Sequence, residues 1–145
     1  MANFIYKKAL ESYPFPNIIS NTIQISLLKQ GIYTPDADND EFYSDIPGSA
    51  IAALATTPLS NKTFTAGELR ADDVTFGAVS ASVGVCSAMV LWHDTGVPGT
   101  SRLICYIDSY TGLPVTPDGV NWVNVQWPRY VPPNYTTVFA PILKI

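Results

Sequence analysis

The chain has 145 residues, of which 47% are apolar and only 14% charged, enough for one domain with a sizeable core and no need of disulfide or metal support. Twelve acidic residues against eight basic ones give a net charge of −4. That balance excludes a broad phosphate-binding surface, because nucleic-acid affinity rests on clustered Lys and Arg and only Lys7 and Lys8 stand together. No segment reaches the length of a membrane span, and the opening MANFIYKKALESYPFPN lacks the basic-then-apolar order of a secretory signal, so a protein made in the cytosol with no membrane partner is expected.

In chain order, residues 3–12 predict a short helix, with Asn3 as its cap and Ala9, Leu10 and Glu11 as helix formers, ended by YPFPN. From Thr22 the period changes to two. Ile23, Ile25 and Leu27 share one face, Thr22, Gln24 and Ser26 the other, which predicts a strand with one face buried. Residues 31–49 mix Pro, Gly and acids with aromatics and predict a long loop crossing from one sheet to another. AIAALATT is ambiguous by pattern, and its β-rich surroundings favour strand. Further strands are expected in NKTFTAG, in ELRADDVTF and at 83–92, 102–108, 120–127 and 136–144, each bounded by turn residues.

Strand 85–92 is apolar on both faces, so it is either central between two layers or covered by another subunit. In VNWVNVQW, Val123, Val125 and Trp127 form the more apolar face and leave Trp122 with Asn124 and Gln126 as an anchor for a partner; a strand burying both Trp residues is the alternative. Pro128, Pro132, Pro133 and Pro141 keep the start of the C-terminal segment 128–145 from being a central strand. Aromatic interface candidates are Trp122, Tyr130, Tyr135, Phe4 and Tyr6. About eight strands with one early crossover predict an all-β fold: a single antiparallel β-sandwich of jelly-roll type over residues 1–145, with residues 1–21 as N-terminal helix and arm.

Candidate chemistry is sparse. Asp94-Thr95-Gly96 is the tripeptide on which aspartic proteases carry their catalytic carboxylate, but it occurs once, so a protease would need two chains meeting at a two-fold axis. It is followed by VPGTS, and a strand-joining turn accounts for it, with Asp94 accepting from loop amides and Gly96 at positive φ. His93, Asp94 and Ser101 invite a triad, yet neighbours on an extended chain point to opposite faces and no Gly-x-Ser-x-Gly elbow exists. DADNDE at 36–41 starts like a calcium loop but has Glu41 where Gly and Pro47 where Glu belong. Cys86 and Cys105 lack metal-ligand spacing and are expected as free, buried, small hydrophobes, with Cys105 nearer Val90 or Leu91 than Cys86. No catalytic residue, cofactor or metal is expected.

FYSDIPGSA at 42–50, LSNKTFTAGELRADDVTF at 59–76, LWHDTGVPGTSRLICYID at 91–108 and TGLPVTPDG at 111–119 together resemble a family of small structural proteins of tailed-bacteriophage virions. The resemblance spans roughly two-thirds of the chain and lies in the order and spacing of the blocks. It departs at the C-terminus, where residues 128–135 are Pro- and Tyr-rich. The resemblance implies a non-enzymatic virion protein without protease activity. The leading expectation is a capsid decoration (cement) protein, oligomeric, with a trimer matching capsid local symmetry, bound to itself and to the major capsid protein or another virion protein. The alternative is a tail, collar or fibre component that binds a host glycan through Trp122, Tyr130 and Tyr135.

Overall fold

The computed structural model describes residues 3–108, 113–125, 127, 129–130, 138–139 and 142–144. In chain order these form β1 (Phe4–Ile5), α1 (Lys7–Ser12), β2 (Ile23–Lys29), β3 (Ile51–Pro58), β4 (Thr63–Thr65), β5 (Glu68–Arg70), β6 (Val74–Ala78), β7 (Cys86–His93), β8 (Leu103–Ile107), β9 (Trp122–Val125), β10 (Arg129–Tyr130), β11 (Val138–Phe139) and β12 (Leu143–Lys144). The fold is all-β, its ladders are antiparallel, and α1 is the one α-helix among the described residues.

The main sheet runs β1-β8-β7-β2-β3. Its centre is β7, flanked by β2 and β8, with Cys86, Ala88, Met89, Val90, Leu91 and Trp92 all buried, so its two apolar faces are explained by a central position within this chain. Among the described residues three smaller ladders accompany it, β12-β5-β4, β6-β9 and β10-β11. Leu27 of the main sheet lines a groove with β9, and Cys105 and Ile107 line another with Leu143, so two of the smaller ladders lie against the face that carries Ile23, Ile25 and Leu27. Both faces of β2 are therefore covered. Ser26 is fully buried, which corrects the expectation of a strand with one solvated face.

Two further expectations are corrected. Phe4 and Ile5 are not helical: they pair with Tyr106 and Cys105 as the edge strand β1, and α1 begins only at Lys7. Asn3 does not cap it; its Oδ1 accepts from the amide of Asp108 at 3.0 Å. The edge of β8 offers unpaired backbone groups, and pairing them outweighs a weak local helix preference.

The segment between β2 and β3 crosses to no second sheet, because these strands are neighbours in one sheet, with Ser26 opposite Thr56. It folds back over the other face instead. The Tyr43 ring stacks on Trp92 at 3.8 Å between centroids, and Tyr33 meets Tyr106 edge-on at 6.3 Å. Its backbone is tied to the 98–103 region by Tyr43 N to Ser101 O at 2.7 Å and Leu103 N to Glu41 O at 3.0 Å. Glu41 also pairs with Arg102 at 2.8 Å, and the Arg102 guanidinium lies 5.2 Å from the centre of the Phe42 ring.

AIAALATT is strand, as expected, within β3. ELRADDVTF divides into β5 and β6, which belong to different ladders. The break is held at Asp72 and Asp73: Asp73 Oδ1 accepts from the Trp127 amide at 2.9 Å, and the Trp127 indole donates to the Asp72 carbonyl at 3.0 Å. Between β4 and β5 the two-residue turn has φ of 54° at Ala66 and 77° at Gly67, the geometry that fits the twist of a tight hairpin.

Candidate functional site

The β7–β8 connection carries the residues with the most suggestive chemistry. Asp94 ends the strand with its amide bonded to Thr22 O at 2.9 Å. Its Oδ1 accepts from the Gly96 amide at 2.8 Å and its Oδ2 from Gln24 Nε2 at 3.2 Å, while Gly96 sits at φ +90°. One carboxylate thus holds the turn closed and ties it to β2. Ser101 is fully buried and its hydroxyl donates to Val97 O at 2.9 Å and accepts from the Thr95 amide at 3.1 Å. A serine whose proton is held by a backbone carbonyl inside its own turn is not poised as a nucleophile.

His93 packs its ring 5.8 Å from that of Tyr13, and no hydrogen bond joins it to Asp94 or Ser101. Burial holds its pKa below the usual histidine value; Lys62 pushes the same way and Asp94 opposes. The neighbouring polar cluster is structural as well. Ser26 Oγ accepts from the Trp92 indole at 2.9 Å and lies 2.7 Å from Thr56 Oγ1, beneath the Tyr43 ring. Burial raises the Tyr43 phenol pKa, with the Ser26 and Thr56 hydroxyls opposing.

The acidic run 36–41 spends its oxygens locally. Asp36 accepts from the amides of Asp38 and Asn39, both at 3.1 Å, and from Asn39 Nδ2 at 2.9 Å, which lowers its pKa. Asp40 Oδ2 accepts from the Asp36 amide at 2.9 Å and from the Tyr33 hydroxyl at 2.5 Å. Lys7 reaches across to Asp38 at 2.7 Å and Lys8 lies 3.7 Å from Glu11. Both cysteines are free and buried; Cys105 stands opposite Leu91 across the ladder, and burial pushes its thiol up to about 12.

The interface candidates separate. Tyr6 is fully buried, its hydroxyl 2.9 Å from that of Tyr33, so it is a core residue and not a contact surface. Burial raises its pKa. Phe4 is half-buried, stacked 5.3 Å from Tyr106 and edge-on to Tyr6 at 5.1 Å. Trp122 is 68% exposed, while Val125 and Trp127 are buried, so the strand's two faces divide as the alternation predicts and the alternative of two buried Trp residues does not hold. Tyr130 pairs through its backbone with Val138, its side chain outside what the structure describes; Tyr135 lies outside the described residues altogether.

The described residues include two open grooves with room for a binding partner. One, of about 370 Å³, runs along the β1–β8 edge between Phe4, Ile5, Leu10, Ile107, Ile142 and Leu143. The other, of about 210 Å³, lies between β9 and residues 113–118, with Trp122 and Asn124 on one side and Thr116 and Asp118 on the other. Neither was legible as a groove in the sequence, since each joins segments distant along the chain. The nearest signal was TPDGVNW, whose Asp118 folds a turn by accepting from the amides of Val120 at 2.9 Å and Asn121 at 2.8 Å. A scan of the chain against protein-family models and a search of curated proteins each find no match.

Proposed function

We propose that this chain is a non-enzymatic structural protein of a tailed-bacteriophage virion, with capsid decoration as its leading role. The four sequence blocks at 42–50, 59–76, 91–108 and 111–119 supply the virion assignment. The observation that carries a binding role over catalysis is how the groups of the 93–101 turn are used: Asp94 and Ser101 hold the turn together, while the apolar β1–β8 groove stays open. In this reading the rim of that groove, with Leu10 49% exposed beside Phe4, packs against the major capsid protein and buries apolar area across capsomer junctions. Self-association, with the trimer as the expected order, belongs to the same proposal.

A second reading places the chain in the tail, collar or fibre, and the exposed Trp122 favours it. Counting copies of the chain in purified particles separates the two. Hundreds of copies support decoration; a few dozen or fewer support the tail-associated reading, and absence from particles rejects both.

A further inference from the structure

Trp122 is the one exposed aromatic ring among the described residues, and its surroundings leave it open by construction. Its cross-strand partner is Ala78, next to Gly77, and both are exposed and too small to cover an indole. Asn124, two residues along the same face and so about 7 Å away, pairs with Thr75, whose hydroxyl donates to Asn124 Oδ1 at 2.8 Å and fixes the amide with its Nδ2 unspent. Next to Trp122 in the chain, Asn121 also lines the groove; its Nδ2 is held by Asp118 at 2.6 Å, leaving Asn121 Oδ1 to accept from a ligand.

Charge narrows the ligand. Among the described residues, the groove lining includes no Lys or Arg. The one carboxylate among those described residues, Asp118, already accepts from two amides and the Asn121 side chain, and these bonds hold its pKa below the usual value, so it stays an anion. Its charge repels phosphates and carboxylates, and no cation among the described lining residues offsets that repulsion. The volume of about 210 Å³ is below the ~300–1,000 Å³ of sites for drug-sized ligands, which suits a single small ring. A flat aromatic face beside oriented neutral amides, at the spacing of one ring, matches a molecule with an apolar C–H face and a rim of hydroxyls.

We propose that the Trp122 groove binds a neutral saccharide, one ring stacked on the indole and its hydroxyls bonded by Asn124 and Asn121. The glycan use of this site belongs to the second reading above, but binding is a property of the chain itself. Decoration of a shell through the β1–β8 groove leaves it intact: β1 and β3 are opposite edges of the main sheet, and the β6–β9 ladder touches β3.

The test is a titration of the ¹⁵N-labelled full chain with neutral hexoses, N-acetylhexosamines and their disaccharides at millimolar concentration, with sialic and glucuronic acids as charged counterparts. The chain has three Trp residues, and the indoles of Trp92 and Trp127 are bonded to Ser26 Oγ and Asp72 O, so the Trp122 signal is a specific reporter. At least one neutral sugar is expected to move it saturably, with the other two indoles still, and the charged sugars to bind about tenfold more weakly or less. Trp122→Ala should abolish binding at unchanged melting temperature, and Asn124→Ala should weaken it. A second arm with immobilised bacterial envelope polysaccharide tells a surface glycan from a free sugar as the source. A Trp122 signal that stays still throughout the panel, or binding that survives in Trp122→Ala, overturns the inference; neither outcome touches the copy number that tests the virion reading.

Discussion

Asp94 joins two parts of the protein through one side chain, closing its own turn at Gly96 and holding the Gln24 amide of β2. Gln24 Oε1 is already buried without a partner, so this amide has no slack. Asp94→Ala is therefore expected to cost about 1–3 kcal/mol, the range for leaving a desolvated donor unmet. Urea denaturation reads it, and an unchanged midpoint would show that the carboxylate is incidental to the fold. His93, next along the chain, gives stability a pH dependence. Burial lowers its pKa in the folded state, so below the ordinary histidine value the unfolded chain takes up a proton that the folded chain resists. Stability is then unaffected above about pH 6.5 and falls as pH drops from there through the depressed folded value. Melting temperatures followed from neutral to mildly acidic pH should decline in the wild type and flatten in His93→Gln; equal slopes would refute the burial effect. Asp36 and Asp118, with lowered pKa values, add their own loss only at more acidic pH, below the ordinary carboxylate range.

At the scale of elements, what the sequence makes legible follows from how local the determining contacts are. The β4–β5 turn is local, and its energetics can be adjusted directly. Ala66 holds φ 54°, a conformation that costs an L-residue with a Cβ about 1 kcal/mol and that Asn tolerates better. Ala66→Asn should raise stability by about 0.5–1 kcal/mol, read as a higher urea midpoint with unchanged slope. A drop would mean that the turn relaxes to another type. β7 and β8 were equally legible, because unbroken apolar runs bounded by turn residues leave few alternatives. β1 was not: nothing within FIYKKAL announces that the edge of β8 is waiting for a partner, and the helix formers at 9–11 extend the expected helix four residues too far back, to Asn3. The 31–49 segment is a loop, as expected, but its path was missed for the same reason. Its aromatics were visible, but that Tyr43 covers Trp92 is a contact across 49 residues, and length alone suggested a crossing between sheets. Of the site residues, Trp122 was legible from alternation, whereas Tyr6 looks like Trp122 by type and differs only in being enclosed by Phe4 and Tyr33.

At the scale of the whole molecule, a decoration role has an energetic consequence that follows from mass action. A protein bound to the assembled shell and not to its separated parts stabilises the shell by about 2.7 kcal/mol per site when its free concentration is a hundred times the dissociation constant. A standard contact needs about 800 Å² from each partner, roughly a tenth of the 7402 Å² surface of this chain, so one patch suffices and the rest of the surface is spared. The β1–β8 groove is the apolar candidate for that patch, and Leu10 is its exposed rim. Leu10→Lys puts a charge where an apolar partner is expected and leaves the domain intact, since the side chain is 49% exposed in the free chain. Its melting temperature should therefore match the wild type while its occupancy on particles stripped of the native chain falls by about tenfold, the effect of losing a contact worth somewhat over 1 kcal/mol. Particles refilled with the wild type should then release their DNA at a higher temperature than particles exposed to Leu10→Lys. Full occupancy by the variant would remove the groove from the contact, and full occupancy by wild type without any shift in DNA release would remove shell stabilisation as the purpose of binding.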